Sequence, residues 1–203
     1  MKRNGTVQLQ FLFPVIIGLA FVACKKQNLQ QPPPVTGPEM EYIELSNREI
    51  KANMPSVSLD VNRDGKTDIA FATVLVGDNL NQVDKLQFLV ATNISVNLPV
   101  NGNEEIPVLK KGESIMPGNF NGYQWFELAG IVLVQKVISF TQPPVWEGHW
   151  KNAVRNYLPF QMLENEKRYN GWIELGVDLP AEKIILHKAA ISKEANRIVK
   201  AGE

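Results

Sequence analysis

The chain has 203 residues, with 21 Lys and Arg against 21 Asp and Glu, two histidines and one cysteine. This charge balance excludes the basic footprint that nucleic acid or anionic headgroups require. A single cysteine excludes an internal disulfide, so stability must come from an apolar core, a metal, or both.

Residues 11–24 read FLFPVIIGLAFVAC, after a basic start at Lys2 and Arg3. The apolar run from Phe11 to Ala23 is 13 residues, short of the roughly 20 a helix needs to cross a bilayer. A basic start, a short apolar stretch and small Ala23 before Cys24 resemble a bacterial lipoprotein signal peptide spanning 1–23. The resemblance implies a diacylglycerol on the Cys24 thiol, cleavage before Cys24 and acylation of the new amino terminus. The residue three before the cysteine is Phe21, where such signals more often carry leucine. A plain secretory signal or an uncleaved anchor is the alternative. Lys25, in place of the aspartate that retains lipoproteins in the inner membrane, points by the same resemblance to the outer membrane. Cleavage leaves 19 basic and 21 acidic side chains, a net charge of −2.

Residues 24–39 form the next segment. KKQNLQQPPPVTGPE (25–39) holds four prolines and little that is apolar. Such a segment cannot bury enough surface to offset its conformational entropy. Partly extended at about 3 Å per residue, it makes a tether on the order of 40 Å. Residues 40–203 remain, 164 in all, the size of one domain that can bury a core without staples.

That domain reads as strands. Val57–Val61 alternates, and Asp68–Val76 is apolar on both faces, as a central strand is. Lys85–Ala91 and Asn93–Val100 follow. Trp125–Phe140 is the longest apolar run. Its β-branched residues and interior Gly130 predict two strands or one long bent one. Trp172–Val177 and Lys183–Lys188 pair through an Asp178-Leu179-Pro180 turn. Turn dipeptides punctuate the whole: Asp64-Gly65, Asn101-Gly102, Lys111-Gly112, Pro117-Gly118, Asn121-Gly122, Asn170-Gly171. The single helical candidate, Ser192–Lys200, is one turn at most. The expectation is an all-β domain, an antiparallel β-sandwich or jelly-roll-like fold.

One loop carries metal chemistry. Asp60 to Asp68 matches D-x-N-x-D-G-x-x-D. Calcium wants six to eight oxygens, and alternate residues of a tight loop converge theirs on it. Asp60, Asn62, Asp64 and Asp68 offer side chains, Lys66 its carbonyl, and Gly65 the sharp bend. Phe71 stands where an EF-hand needs its bidentate Glu, so the loop resembles instead the inter-strand calcium loops of propeller and dockerin-like modules. Any Ca2+ here is expected to be structural. The competing reading is an Asx-supported hairpin turn with no ion.

The reactive inventory is thin. His149 and His187 stand far apart, outside metal-ligand spacings, and no G-x-S-x-G elbow, P-loop or dinucleotide fingerprint occurs. Glu127 with Glu174 would make a glycosidase dyad only at the right carboxyl separation. A non-catalytic binding or structural module is therefore expected. Four tryptophans raise an alternative, a carbohydrate-binding or carbohydrate-active lipoprotein, with Trp146 and Trp150 around Pro143-Pro144 as the contacts to a glycan. The competing reading is that these rings pack.

Three C-terminal segments carry a wider resemblance: Tyr169-Asn170-Gly171-Trp172-Ile173-Glu174-Leu175, Lys183-Ile184-Ile185-Leu186, and Ile198-Val199-Lys200-Ala201-Gly202-Glu203. With the Asp60–Asp68 junction and Asn156-Tyr157-Leu158-Pro159-Phe160, they are similar to a group of secreted proteins and lipoproteins of Gram-negative bacteria. That group often has tyrosine directly before glycine, where this chain inserts Asn170. The resemblance spans most of residues 55–203 and implies an all-β fold with no established activity. Membrane contact through the lipid, and a glycan or another envelope protein as partner, complete the expectation.

Overall fold

The computed structural model describes residues 37–203 except 128–129. The predicted signal peptide, Cys24 and the tether up to residue 36 lie outside the described residues. The domain is an all-β sandwich, and no helix occurs among the described residues.

Thirteen strands follow one another: β1 (Met40–Lys51), β2 (Val57–Leu59), β3 (Ile69–Asp78), β4 (Val83–Thr92), β5 (Val96–Val100), β6 (Ser114–Ile115), β7 (Gln124–Glu127), β8 (Ile131–Ser139), β9 (Val145–Glu147), β10 (Asn156–Glu164), β11 (Lys167–Asp178), β12 (Lys183–Ser192) and β13 (Val199–Lys200). One sheet has the order β1-β12-β11-β10-β5-β7 and the other β2-β3-β4-β8-β9, while β6 and β13 form a short ribbon. Every strand pair is antiparallel.

The main core lies between the two large sheets. Phe71, Phe88 and Val90 belong to one wall, Leu158, Phe160, Ile173, Leu175 and Leu186 to the other. Side chains alternate across a strand, so the second set of β10 and β11 residues faces away from this core. That outer face is not left to solvent. Tyr157, Trp172 and Ala190 pack there with Leu109, Ile115, Val199 and Ala201 in a second core. The centre of the six-stranded sheet is thus buried on both faces, which explains why β10 is buried without interruption from Tyr157 to Met162. The chain end helps close it: Gly112 N donates to Ala201 O at 2.8 Å and Trp172 Nε1 to Glu203 O at 3.3 Å.

Trp125–Phe140 is two strands, β7 and β8, one in each sheet. Ser192–Lys200 forms no helix, its Ser192 hydroxyl tying to Glu194 instead. Asn170-Gly171 departs from expectation: it is no turn but the buried middle of β11. The Asn170 amide finds tertiary partners, accepting from Gln161 Nε2 at 2.8 Å and donating to Arg197 O at 2.8 Å. Gly171 is required by close approach, because a Cβ there would lie 2.3 Å from the Phe160 ring.

Candidate functional site

The acidic loop joins β2 to β3. Asp60 accepts from the amides of Asp64 (3.1 Å) and Gly65 (2.8 Å), Asn62 Oδ1 from Asp64 N (3.1 Å), and Asp64 Oδ1 from Lys66 N (2.9 Å). Gly65 takes φ +86° and Arg63 φ +60°, the left-handed steps that curl the loop inward. Arg63 pairs with Glu41 at 2.9 Å, which docks the loop on β1. Asp68 stands apart in environment. It is buried, and both its oxygens are engaged, by Val61 N at 2.8 Å and Asn93 Nδ2 at 3.0 Å. Burial pushes its carboxyl above the ordinary range against the lowering by those donors. Among the described residues no group of three or more His, Cys, Asp or Glu is arranged to hold a metal ion.

The tryptophan pair is not a platform. Trp150 is 1% exposed, and its indole Nε1 donates to Ile106 O at 3.2 Å inside the main core. The expectation that it contacts a ligand is therefore corrected: the 148–153 turn folds back, with Trp150 N bonded to Leu133 O at 3.2 Å, and drives the ring inward. Trp146 is half-buried against Phe88, ring centroids 6.0 Å apart. Trp172 is 2% exposed and meets Tyr157 edge-on at 5.2 Å. Trp125 is half-buried over a cavity of about 160 Å³ that Asn97, Asn119, Gln161 and Arg168 also line.

The glycosidase dyad is not assembled. Glu127 on β7 and Glu174 on β11 are three strand spacings apart in the sheet, roughly 14 Å, beyond the roughly 5–9.5 Å such pairs need. His149 is exposed in the turn after β9.

His187 is placed differently. Its strand pairs Lys188 with Glu174 and Leu186 with Leu175, so His187 is skipped by β11. On the other side β1 pairs Glu44 with Lys188 and Arg48 with Leu186, so Leu45, Ser46 and Asn47 bulge opposite the same residue. Ser46 (φ 53°) and Asn47 (φ 56°) occupy the left-handed region there. The bulge brings Asn47 Oδ1 to 2.7 Å from His187 Nδ1. An amide oxygen only accepts, so Nδ1 carries the proton and Nε2 keeps a lone pair in the neutral ring. Burial, with the Arg155 charge added, holds the imidazole below its ordinary pKa against the opposing pull of Glu174.

His187 stands on the wall of a cleft of about 480 Å³ together with Lys151, Arg155, Val177, Leu179 and Ile185. Arg155 Nε donates to Glu174 Oε1 at 2.7 Å. Gly176 lets β11 approach the 148–155 segment, since a Cβ there would lie 2.2 Å from Val154 O. Strand pairing, not the sequence pattern, locates this site. The main-core positions of β12 run Ile184, Leu186 and then Ala189, Ile191, so the parity flips across His187 and Lys188.

No protein-family model matches the chain, and no curated protein or solved structure matches it.

Proposed function

We propose that this chain is an outer-membrane lipoprotein, held through Cys24, whose sandwich is a non-catalytic binding module. The observation that carries the reading is the polarity of the domain. The chain enters at Met40, paired with Ser192, while the His187 cleft lies toward the β11–β12 turn at the other end of β12. From Ser192 to Ile185 is seven residues, about 23 Å along the strand. The cleft thus lies at the end of β12 opposite the point where the chain enters the domain at Met40. Two or three acyl chains hold a protein stably, whereas one gives a partition constant of only about 10⁴ M⁻¹. Kinship with the secreted proteins and lipoproteins of Gram-negative bacteria that the C-terminal segments resemble is part of the same reading. Labelling cells with a fatty-acid analogue tests it: wild type should label in the outer-membrane fraction and Cys24→Ala should not. An unlabelled wild type overturns the anchor.

A structural Ca2+ at the β2–β3 loop belongs to this proposal. The donor types are those calcium takes, Asp60, Asn62, Asp64, the Lys66 carbonyl and Asp68 along one loop, and binding requires the side chains that now accept backbone amides to turn toward the ion. The ion would tie two strands and neutralise the loop carboxylates.

Carbohydrate binding is the second reading, favoured by the cavity at Trp125. Its half-buried indole beside amide and guanidinium groups is the chemistry that stacks on and bonds to a sugar, although at about 160 Å³ the cavity is smaller than the roughly 300–1,000 Å³ of most ligand sites.

A further inference from the structure

We propose that the cleft beside His187 binds a small carboxylate with an apolar body and a hydrogen-bond donor next to the carboxylate, the chemistry of an N-acylated apolar amino acid. The inference rests on the reading of the domain as a binding module and names what the module takes.

Three features of the cleft select this chemistry. The floor is apolar, made by Val177, Leu179 and Ile185, so the body of the ligand must be apolar to displace water from it. Two cations stand on the rim. The Lys151 ammonium has no partner among the described residues, and Arg155 uses only its Nε, on Glu174, which leaves both terminal nitrogens of its fork for a carboxylate. The third feature is the imidazole. With Nδ1–H held by Asn47, Nε2 is an acceptor and calls for an N–H or O–H on the ligand.

The acidic groups nearby are accounted for. Glu174 pairs with Arg155, and Asp178 Oδ1 accepts from Ala181 N at 3.0 Å in the β11–β12 turn, beside Lys183. The Lys151 charge is thus the one left over for an anion. A volume of about 480 Å³ lies within the range of small-molecule sites, roughly 300–1,000 Å³. The backbone supports the same conclusion. Two strands give up ladder bonds at one residue, and two non-glycine residues adopt left-handed conformations, to hold one histidine in one tautomer.

The test uses the full chain, purified in detergent micelles, and three probes followed by amide NMR shifts at Val154, Gly176 and Val177. N-acetyl-leucine carries carboxylate, N–H and apolar body; N-acetyl-leucinamide lacks the carboxylate; 4-methylpentanoate lacks the N–H. For so few atoms a dissociation constant of about millimolar is expected for N-acetyl-leucine, with each of the other two about fivefold or more weaker. Lys151→Gln, at an exposed position, should weaken both carboxylates severalfold and leave the amide probe unchanged. His187→Gln should bring N-acetyl-leucine down to the level of 4-methylpentanoate. Equal binding of all three probes, or no shift at these amides up to about 50 mM, overturns the proposal. Cleft binding by a chain that never acquires lipid overturns the anchor and leaves the cleft standing; the converse result removes the cleft alone.

Discussion

Truncating Trp150 separates a packing ring from a ligand contact. The side chain is 1% exposed, belongs to the main core and donates through Nε1 to Ile106 O. Trp→Ala at such a site costs about 3–5 kcal/mol, from lost transfer energy and the cavity left behind. The orphaned Ile106 carbonyl places the expectation in the upper half of that range. For a domain of this length each kcal/mol moves the melting temperature by roughly 2–4 °C, so Trp150→Ala should melt about 8–20 °C lower. Urea unfolding should show the midpoint falling while the slope stays constant. Trp146→Ala, which removes a half-buried ring from Phe88, should cost less than half as much. A Trp150→Ala protein that melts within about 2 °C of wild type while losing reproducible hits on a glycan array would refute the reasoning and restore the sugar platform.

Gly171→Ala should destabilise by about 1–3 kcal/mol, because its Cβ would sit 2.3 Å from the Phe160 ring and 2.6 Å from Ala190 O; unchanged urea midpoints would disprove this contact. Acid should weaken the fold in two windows. Glu49 is held down to about 2 by Lys183 and then Lys51, so its contribution is present above its ordinary value of 4.5 and fades as pH falls toward 2. His187 is held below 6.5, so the unfolded chain takes up more protons and stability drops as pH falls through 6.5; His187→Gln should flatten that slope in denaturant titrations between pH 7.5 and 5.5. With a dissociation constant near 10⁻⁴ M, millimolar calcium should stabilise the domain by about 1.4 kcal/mol, raising the melting temperature by roughly 3–5 °C. Asp64→Ala should abolish that response; coincident melts of wild type in calcium and in chelator would remove the ion from the account.

Much of the fold is legible in the sequence because local pattern and tertiary demand agree. The β11–β12 hairpin has alternating apolar residues on both arms and a polar Asp178-Leu179-Pro180 turn between them, and it forms as its pattern predicts. Gly130 divides Trp125–Phe140, and the two halves enter different sheets. Strand β1 is the opposite case. Its buried residues are Leu45 and Ile50, an odd and an even position, because the Leu45–Asn47 bulge breaks the period of two. An alternation test passes over such a strand, although it is twelve residues long. Asn170-Gly171 fails for another reason. Its dipeptide chemistry suits a turn, but Gln161 and Arg197 satisfy the asparagine and Phe160 occupies the space the glycine leaves. The candidate site is illegible for the reason β1 is: His187 is defined by two register shifts that only strand pairing reveals.

The register shifts also say what the irregularity is for. The hairpins β3–β4 and β10–β11 run through ten and nine consecutive pairs without a shift, so the sandwich itself demands none. The shifts fall where the 148–155 crossover docks. In β8 the shift lies beside Leu133, whose carbonyl receives the Trp150 amide, and packing of that ring accounts for it. On the other sheet the same crossover bonds β11 through Val177 N to Ala153 O at 2.7 Å and pairs Arg155 with Glu174. The bulges of β1 and β12 bury no comparable ring at their centre; they aim Asn47 at His187 instead. One segment therefore anchors itself in the core through Trp150 and presents Lys151 and Arg155 on the rim of the cleft. The rigidity that the proposed binding site requires would come from strand irregularity braced by a core tryptophan, not from a mobile loop.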